Sequence, residues 1–215
     1  MLQYERQSWG RGAVRVAGVD EAGRGPLAGP VVAAALLFDQ AFLEAEQYGC
    51  LQGVNDSKTL TGSQREGLYT LLTTSCPCVF GIGLADVAEI DSLNILRATH
   101  LAMARALNAI SPLPDFALVD GLPVPGLPCS SQSVVGGDGR SLSIAGASII
   151  AKVTRDRMMV ELDQRYPQYQ FARHKGYGTK IHLQALLENG PCPAHRRSFR
   201  PVREAMRLRQ SGECG

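Results

Sequence analysis

Apolar residues in this chain gather into short blocks separated by polar turns, and one longer stretch carries them at helical spacing. The block Val14-Arg15-Val16-Ala17-Gly18-Val19 predicts a first strand over about 13–20. Pro30 to Phe38 could be a strand or a buried helix, and Gly29-Pro30 with the paired valines favours strand. Further strands are predicted at 79–84, at Phe116-Ala117-Leu118-Val119 and at 132–135. The stripe Leu93, Leu96, His100, Met103, Leu107, Ile110 follows three-four spacing and predicts one helix over 92–110. His100 on that stripe reads as a packed core histidine. A helix opening at Ser63, with Glu66 completing a capping box, is predicted to about Thr74. A long helix is predicted from about Ser141 to Arg165, small at Ala145-Gly146-Ala147-Ser148 and stopped by Tyr166-Pro167. Shorter helices follow at about 180–189 and from about 202.

Strands first, then strands alternating with helices, predict an α/β fold: a mixed five-stranded sheet flanked by helices. A C-terminal helical appendage is expected to follow, so that residues 1–166 form one domain and 167–215 a basic region packed on it.

Three of the predicted strands end on carboxylates, at Asp20-Glu21, Asp120 and Asp138. In α/β sheets ligand sites gather at the carboxyl ends of strands. One such aspartate is commonly a turn residue or a helix cap, and Asp138 alone could serve the helix after it. Four carboxylates in one cleft would repel one another unless hard divalent cations neutralised them, and an all-oxygen donor set favours Mg²⁺ or Mn²⁺ over zinc. Consecutive strand residues point to opposite faces, so Asp20 and Glu21 share a site only if the regular strand ends there. Gly23-Arg24-Gly25 just beyond permits such a break, and a guanidinium among exposed amides suits a phosphate.

The net charge of +2 hides an asymmetry. Residues 1–149 hold 9 Lys and Arg against 14 Asp and Glu, a net of −5, while 150–215 hold 13 against 6, a net of +7. A basic region beside an acidic one suits a polyanion gripped by the first and processed at the second, although a solvated helical tail has the same composition. The six cysteines lack zinc or disulfide spacing, and Cys76-Pro77-Cys78 reads as a loop with reduced thiols. No apolar run is long enough to cross a membrane, Met1 to Arg11 lacks an apolar signal region, and a cytoplasmic protein is expected.

The segment Asp20-Glu21-Ala22-Gly23-Arg24-Gly25 resembles the signature of type 2 ribonuclease H, bacterial ribonuclease HII. Leu118-Val119-Asp120-Gly121 is similar to that family's third-carboxylate segment, Val134 to Asp138 to its fourth, and Ser143 to Asp156 to its long-helix signature. The resemblance runs from about Val16 to Val202, with two departures. Gly136 and Thr59 stand where lysines are frequent, which bears on phosphate contacts rather than on chemistry. What the resemblance implies is a ribonuclease H-like fold and a metal-dependent endonuclease. It would cut the RNA strand of RNA–DNA hybrids and single ribonucleotides in duplex DNA, leaving 5′-phosphate and 3′-hydroxyl ends. Asp20, Glu21, Asp120 and Asp138 would hold two Mg²⁺ or Mn²⁺ ions.

The resemblance also implies substrate contacts at Gly23, Arg24, Gly25, Asn55, Ser57, Lys58 and Tyr177, the last on the sugar at an RNA–DNA junction. As bare residues, Lys58 could be an idle loop lysine and Tyr177 a ring packed under a turn. Lys152 and Asp156 read as partners of Arg155 or Arg157. His195-Arg196-Arg197 is open between a basic contact patch and an anchor for the tail. A monomer is expected, and no replication or repair partner is legible. Two other classes compete: a non-catalytic nucleic-acid-binding module, for which four carboxylates are superfluous, and a phosphate-binding metabolic enzyme. The latter lacks the Gly-x-Gly-x-x-Gly spacing of a dinucleotide loop.

Overall fold

The computed structural model describes residues 1–210; residues 211–215, with Cys214 and the end of the expected basic region, lie outside the described residues. In chain order the elements are α1 (Gln3–Gly10), β1 (Val16–Ala22), β2 (Val31–Phe38), α2 (Gln40–Glu46), α3 (Gly62–Thr74), β3 (Cys78–Ala85), α4 (Val87–Leu93), α5 (Ile95–Asn108), β4 (Phe116–Asp120) and β5 (Ser130–Val134). A short 3₁₀ turn, Gly137–Gly139, leads into α6 (Leu142–Arg165). After it come α7 (Phe171–His174), α8 (Lys180–Asn189) and α9 (Arg200–Gln210). The five strands form one mixed sheet in the order β3-β2-β1-β4-β5. β1 pairs antiparallel with β2 and parallel with β4, and β4 pairs parallel with β5.

The described chain divides into two compact units. The first comprises Met1–Ala22, Val32–Leu84 and Thr99–Val153. Its core packs Leu36, Phe38, Leu43 and Leu72 with Ala145, Ile149, Ile150 and Val153 of α6. Val16, Leu118, Val134 and Ile144 form a second cluster there. The small residues of α6 pack closely on the sheet: a side chain at Gly146 would meet Leu36 Cδ2 at 2.3 Å, and one at Gly18 of β1 the Ser143 backbone at 2.1 Å. The second unit comprises Gly23–Val31, Ala85–Ala98 and the chain from Thr154 onward. Ala28, Met159, Tyr169, Phe171 and Ala185 pack in one of its clusters, and Leu27, Leu186, Val202 and Ala205 in another. On α9, Val202 and Ala205 are buried while Arg203, Arg207 and Arg209 are exposed, as an amphipathic helix requires.

Several elements differ from the sequence pattern, each for a local reason. The predicted helix over 92–110 is two helices, broken at Asn94, whose φ of 70° lies in the left-handed region that asparagine tolerates. The Asn94 carboxamide oxygen then accepts from the Leu96 and Arg97 amides and starts α5. The break turns Leu96 outward, leaving it 50 % exposed instead of on the core stripe. The helix predicted to open at Ser63 opens earlier. Thr61 is its cap, and Gln64, not Glu66, completes the capping box. β1 runs through Ala22, two residues further than expected, because Glu21 and Ala22 stay paired with Ala33 and Val32 of β2. All five described cysteines are free thiols. No helix among the described residues is long and apolar enough to cross a membrane.

Candidate metal centre

β1 and β4 run parallel in register, Val19 opposite Val119, so Asp20 and Asp120 are the next residues on neighbouring strands. β4 is in turn paired with β5, Asp120 opposite Val134. The chain then passes through Gly136, whose φ of 63° lies where a side chain is strained, into the 3₁₀ turn that carries Asp138. Glycine adopts that conformation without strain. The Gly137 amide donates to Asp120 Oδ1 at 2.6 Å, tying the turn to the end of β4. One carboxylate oxygen each of Asp20, Asp120 and Asp138 lies within 4.8 Å of the others. Asp20 and Asp138 are buried and Asp120 is partly so.

The electrostatics of this group are unfavourable as it stands. Burial raises the Asp20 carboxyl well above its ordinary value, and the charges of Glu21 and Asp120 raise it further. Hydrogen bonds from the Glu21 amide, 2.7 Å from Asp20 Oδ1, and from Ser148 act against the rise. Asp120 is also raised, first by burial and then by Asp138, against the Gly137 amide and the Lys58 charge. Three crowded carboxylates with an all-oxygen donor set fit a hard divalent cation, which relieves repulsion that the Lys58 charge only partly offsets.

Glu21 is the next residue of β1, half-buried, and its amide donates to Asp20 Oδ1. β1 continues through both residues, and Glu21 adjoins the close group of three carboxylates through its charge on Asp20. Lys58 reaches the group as well, its Nζ donating to Asp138 Oδ2 at 3.1 Å while the side chain stays 75 % exposed. Partial burial opposes its charge, but Asp138, Asp56 and Asp20 outweigh that and hold the amine above its usual range. Asn55 and Ser57 differ from each other. Asn55 is exposed and its Oδ1 accepts from the Asp56 amide, whereas Ser57 is buried with its Oγ 2.7 Å from Ser148 Oγ. Ser148, read in the sequence only as a small packing residue, therefore stands between Ser57 and Asp20.

The remaining sequence candidates belong to the second unit. Gly23 has a φ of +98° and is buried, and a Cβ there would sit 2.0 Å from Arg155 Nε. Arg24 and Gly25 are exposed, and a Cβ on Gly25 would make only an ordinary contact, 3.6 Å from Tyr177 Cε1. Glycine is thus required at 23 by the protein itself, while at 25 the fold leaves room. Tyr177 is 48 % exposed, so its ring is not sealed under a turn. Arg196 is fully buried and donates to the carbonyls of Gly23, Arg24, Gly29 and Pro30. Within His195-Arg196-Arg197, the first two are buried, as an anchor requires, while Arg197 is exposed. Arg155 takes up the Ala28, Pro30 and Lys175 carbonyls. Its sequence signal was present but unread: it lies four residues from Ala151 and from Met159, on the buried face of α6.

The model of the family described as Ribonuclease HII matches residues 17–202. A ribonuclease HII of Geobacillus kaustophilus is 53 % identical over 207 residues, 96 % of this chain and 76 % of that protein. One from Ruegeria pomeroyi is 51 % identical over 205 residues, 95 % of this chain and 84 % of that protein. Among solved structures, the ribonuclease H2 of Pyrococcus horikoshii superposes with a TM-score of 0.76 at 30 % identity, over 91 % of this chain and 99 % of that one. With the parallel strand ends, the buried acidic group and these matches together, the chain belongs to the ribonuclease HII family, ribonucleases H that hydrolyse the RNA of RNA–DNA hybrids.

Proposed function

We propose that this ribonuclease cuts both continuous RNA–DNA hybrids and single ribonucleotides embedded in duplex DNA, leaving 5′-phosphate and 3′-hydroxyl ends. The observation that carries the reading is the group of three aspartates at adjacent strand ends, oxygens within 4.8 Å of one another. Asp20, Asp120 and Asp138, with Glu21 beside them, would hold two Mg²⁺ or Mn²⁺ ions. Such ions, when bound, supply activation of the attacking water and stabilisation of the leaving 3′ oxygen. The chain's own part is to fix the carboxylates. The Gly137 amide holds Asp120, and Ser148 and the Glu21 amide favour the charged form of Asp20 against its burial. Lys58, exposed along its stem and fixed at its tip, is suited to a neighbouring phosphate.

We assign substrate contacts to Gly23, Arg24, Gly25, Asn55, Ser57, Lys58 and Tyr177, with the buried Ser57 acting through its hydroxyl partner Ser148. The 2′-hydroxyl both donates and accepts, so close backbone groups of a glycine loop are suited to read it. The half-exposed Tyr177 ring is suited to pack on the deoxyribose that follows, where another 2′-hydroxyl would crowd it. In this reading the working protein is a cytoplasmic monomer. Residues 1–166 carry the chemistry, and the basic region from 167 holds the duplex. The test is incubation of the purified protein with a labelled DNA duplex containing one ribonucleotide, with and without Mg²⁺. Metal-dependent cleavage at the ribonucleotide is expected, and an intact duplex would limit the substrate to continuous hybrids. Tyr177→Ala should lower kcat/KM about tenfold more on that substrate than on a continuous hybrid. Equal losses on both would make the ring merely structural.

A further inference from the structure

Arg155 and Arg196 are the two largest side chains fully buried in the described chain, 1 % and 0 % exposed. Their hydrogen bonds go to backbone carbonyls, not to carboxylates. Arg196 Nη2 donates to Gly23 at 2.6 Å and Pro30 at 3.2 Å, Nη1 to Arg24 at 2.9 Å and Nε to Gly29 at 2.9 Å. Arg155 donates at 3.0 Å from Nε to Pro30, from Nη2 to Ala28 and from Nη1 to Lys175. Burial lowers both groups, to about 10 for Arg155 and about 9 for Arg196, which Arg155 also repels, so both remain cations at neutral pH. A loop that only had to be closed could be packed with apolar side chains at a smaller desolvation cost. The guanidinium's five donors instead collect several carbonyls in a fixed fork, which an apolar group cannot do and the three donors on a lysine's single nitrogen cannot match.

The collected carbonyls dictate what the loop shows to the outside. In a planar trans peptide the C=O of one residue and the N–H of the next point in opposite directions. With the Gly23 and Arg24 carbonyls drawn onto Arg196, the amides of Arg24 and Gly25 point away from it, and these two residues are the exposed ones of the loop. We propose that Arg196, with Arg155 behind it, is a positioning residue for substrate recognition. It turns the Gly23–Gly25 peptides so that the Arg24 and Gly25 amides face an oxygen of the nucleic-acid backbone, with fixed positive charge at their rear. This rests on the reading that the loop touches the substrate.

The experiment follows the amide resonances of the wild-type protein by NMR while an RNA–DNA hybrid is titrated in with chelator present, so that no cleavage occurs. The Arg24 and Gly25 amides should be among the most shifted, and unmoved resonances for both would overturn the proposal. Affinities are measured alongside for Arg196→Lys, Arg155→Lys and Gly25→Ala, for the hybrid and for a DNA duplex of the same sequence. Arg196→Lys, checked for a cooperative melt, should bind the hybrid at least tenfold more weakly and lose its preference over DNA. Wild-type affinity and preference in the folded variant would end the idea, and Arg155→Lys is judged the same way. Gly25→Ala tests the underlying reading, since its methyl meets only ordinary contact inside the protein. Normal hybrid binding by Gly25→Ala would remove the loop from the interface. Weakened binding by Gly25→Ala with normal binding by Arg196→Lys would remove the clamp alone.

Discussion

Asp20 and Arg196 are both nearly sealed from solvent, at 4 % and 0 % exposure, yet their surroundings are opposite in kind. Around Asp20 the nearest charges have its own sign, and the counter-charge in reach is one lysine with an exposed stem. Around Arg196, against the repulsion of Arg155, carbonyl dipoles each take one N–H. The same second unit buries His174, His182 and His195, again with partners for the ring nitrogens. His182 Nδ1 pairs with the Tyr177 carbonyl, its Nε2 lies 3.0 Å from His195 Nε2, and the Cys192 amide donates to His195 Nδ1. Neutral imidazoles satisfy every link, with His195 donating to His182. A satisfied buried charge holds backbone in place. An unsatisfied one is held in readiness for a ligand.

The largest effect expected from this contrast is on catalysis. Asp20→Asn or Asp120→Asn keeps the volume but removes a metal-binding charge, so cleavage of a labelled hybrid in Mg²⁺ should fall below detection with hybrid binding retained. Melting with chelator should show these variants no less stable than wild type, because repulsion in the acidic group is relieved. Wild-type-like cleavage by either variant would break the assignment.

A smaller effect separates the two regions by pH. Burial lowers His182 to about 4 and His195 to about 3, each pushed further by a neighbouring histidine. Their folded values lie below the unfolded one, so below about pH 6.5 the unfolded chain binds the extra protons and stability falls as pH falls towards 4. The loss is on the order of 1 kcal/mol per pH unit for each histidine. Asp20 runs the other way: its raised carboxyl favours the fold at low pH, and that contribution is lost as pH rises through its folded value. Melting curves of wild type and His182→Gln between pH 7 and 4 check this. A variant as acid-sensitive as wild type would clear His182 of any part.

The smallest expected effect concerns the exposed face of α9. Arg203→Ala and Arg207→Ala should each reduce the log–log salt slope of hybrid binding by roughly one unit if each meets a phosphate. Arg203→Ala should leave melting unchanged, because the buried face is Val202 and Ala205. Unchanged slopes would turn the basic tail back into a solvated helix. Point variants are the sharper tool, since deleting the region from 167 would also remove Arg196 from the carbonyls of residues 23–30.

What the sequence determined by itself was whatever depends on neighbours along the chain. Strand blocks such as Val31–Phe38, the long helix ended by Tyr166-Pro167, and aspartates placed just past apolar runs are local patterns, and the five-stranded sheet followed from their order. Local exceptions escaped it. Asn94 divides a stripe that reads as continuous, and Thr61 outcompetes Ser63 as a cap, because backbone angle and side-chain reach decide between near-equivalent polar residues. What only the tertiary structure decided was which distant groups meet. Nothing in Ser148 announces that it will bond Asp20, and nothing in Arg196 announces that it will collect carbonyls from residues 23 to 30. The physical reason is that burial and hydrogen-bond partnership belong to pairs of residues more than a hundred positions apart. A residue's type limits what it can bond, but only the packed chain chooses its partner.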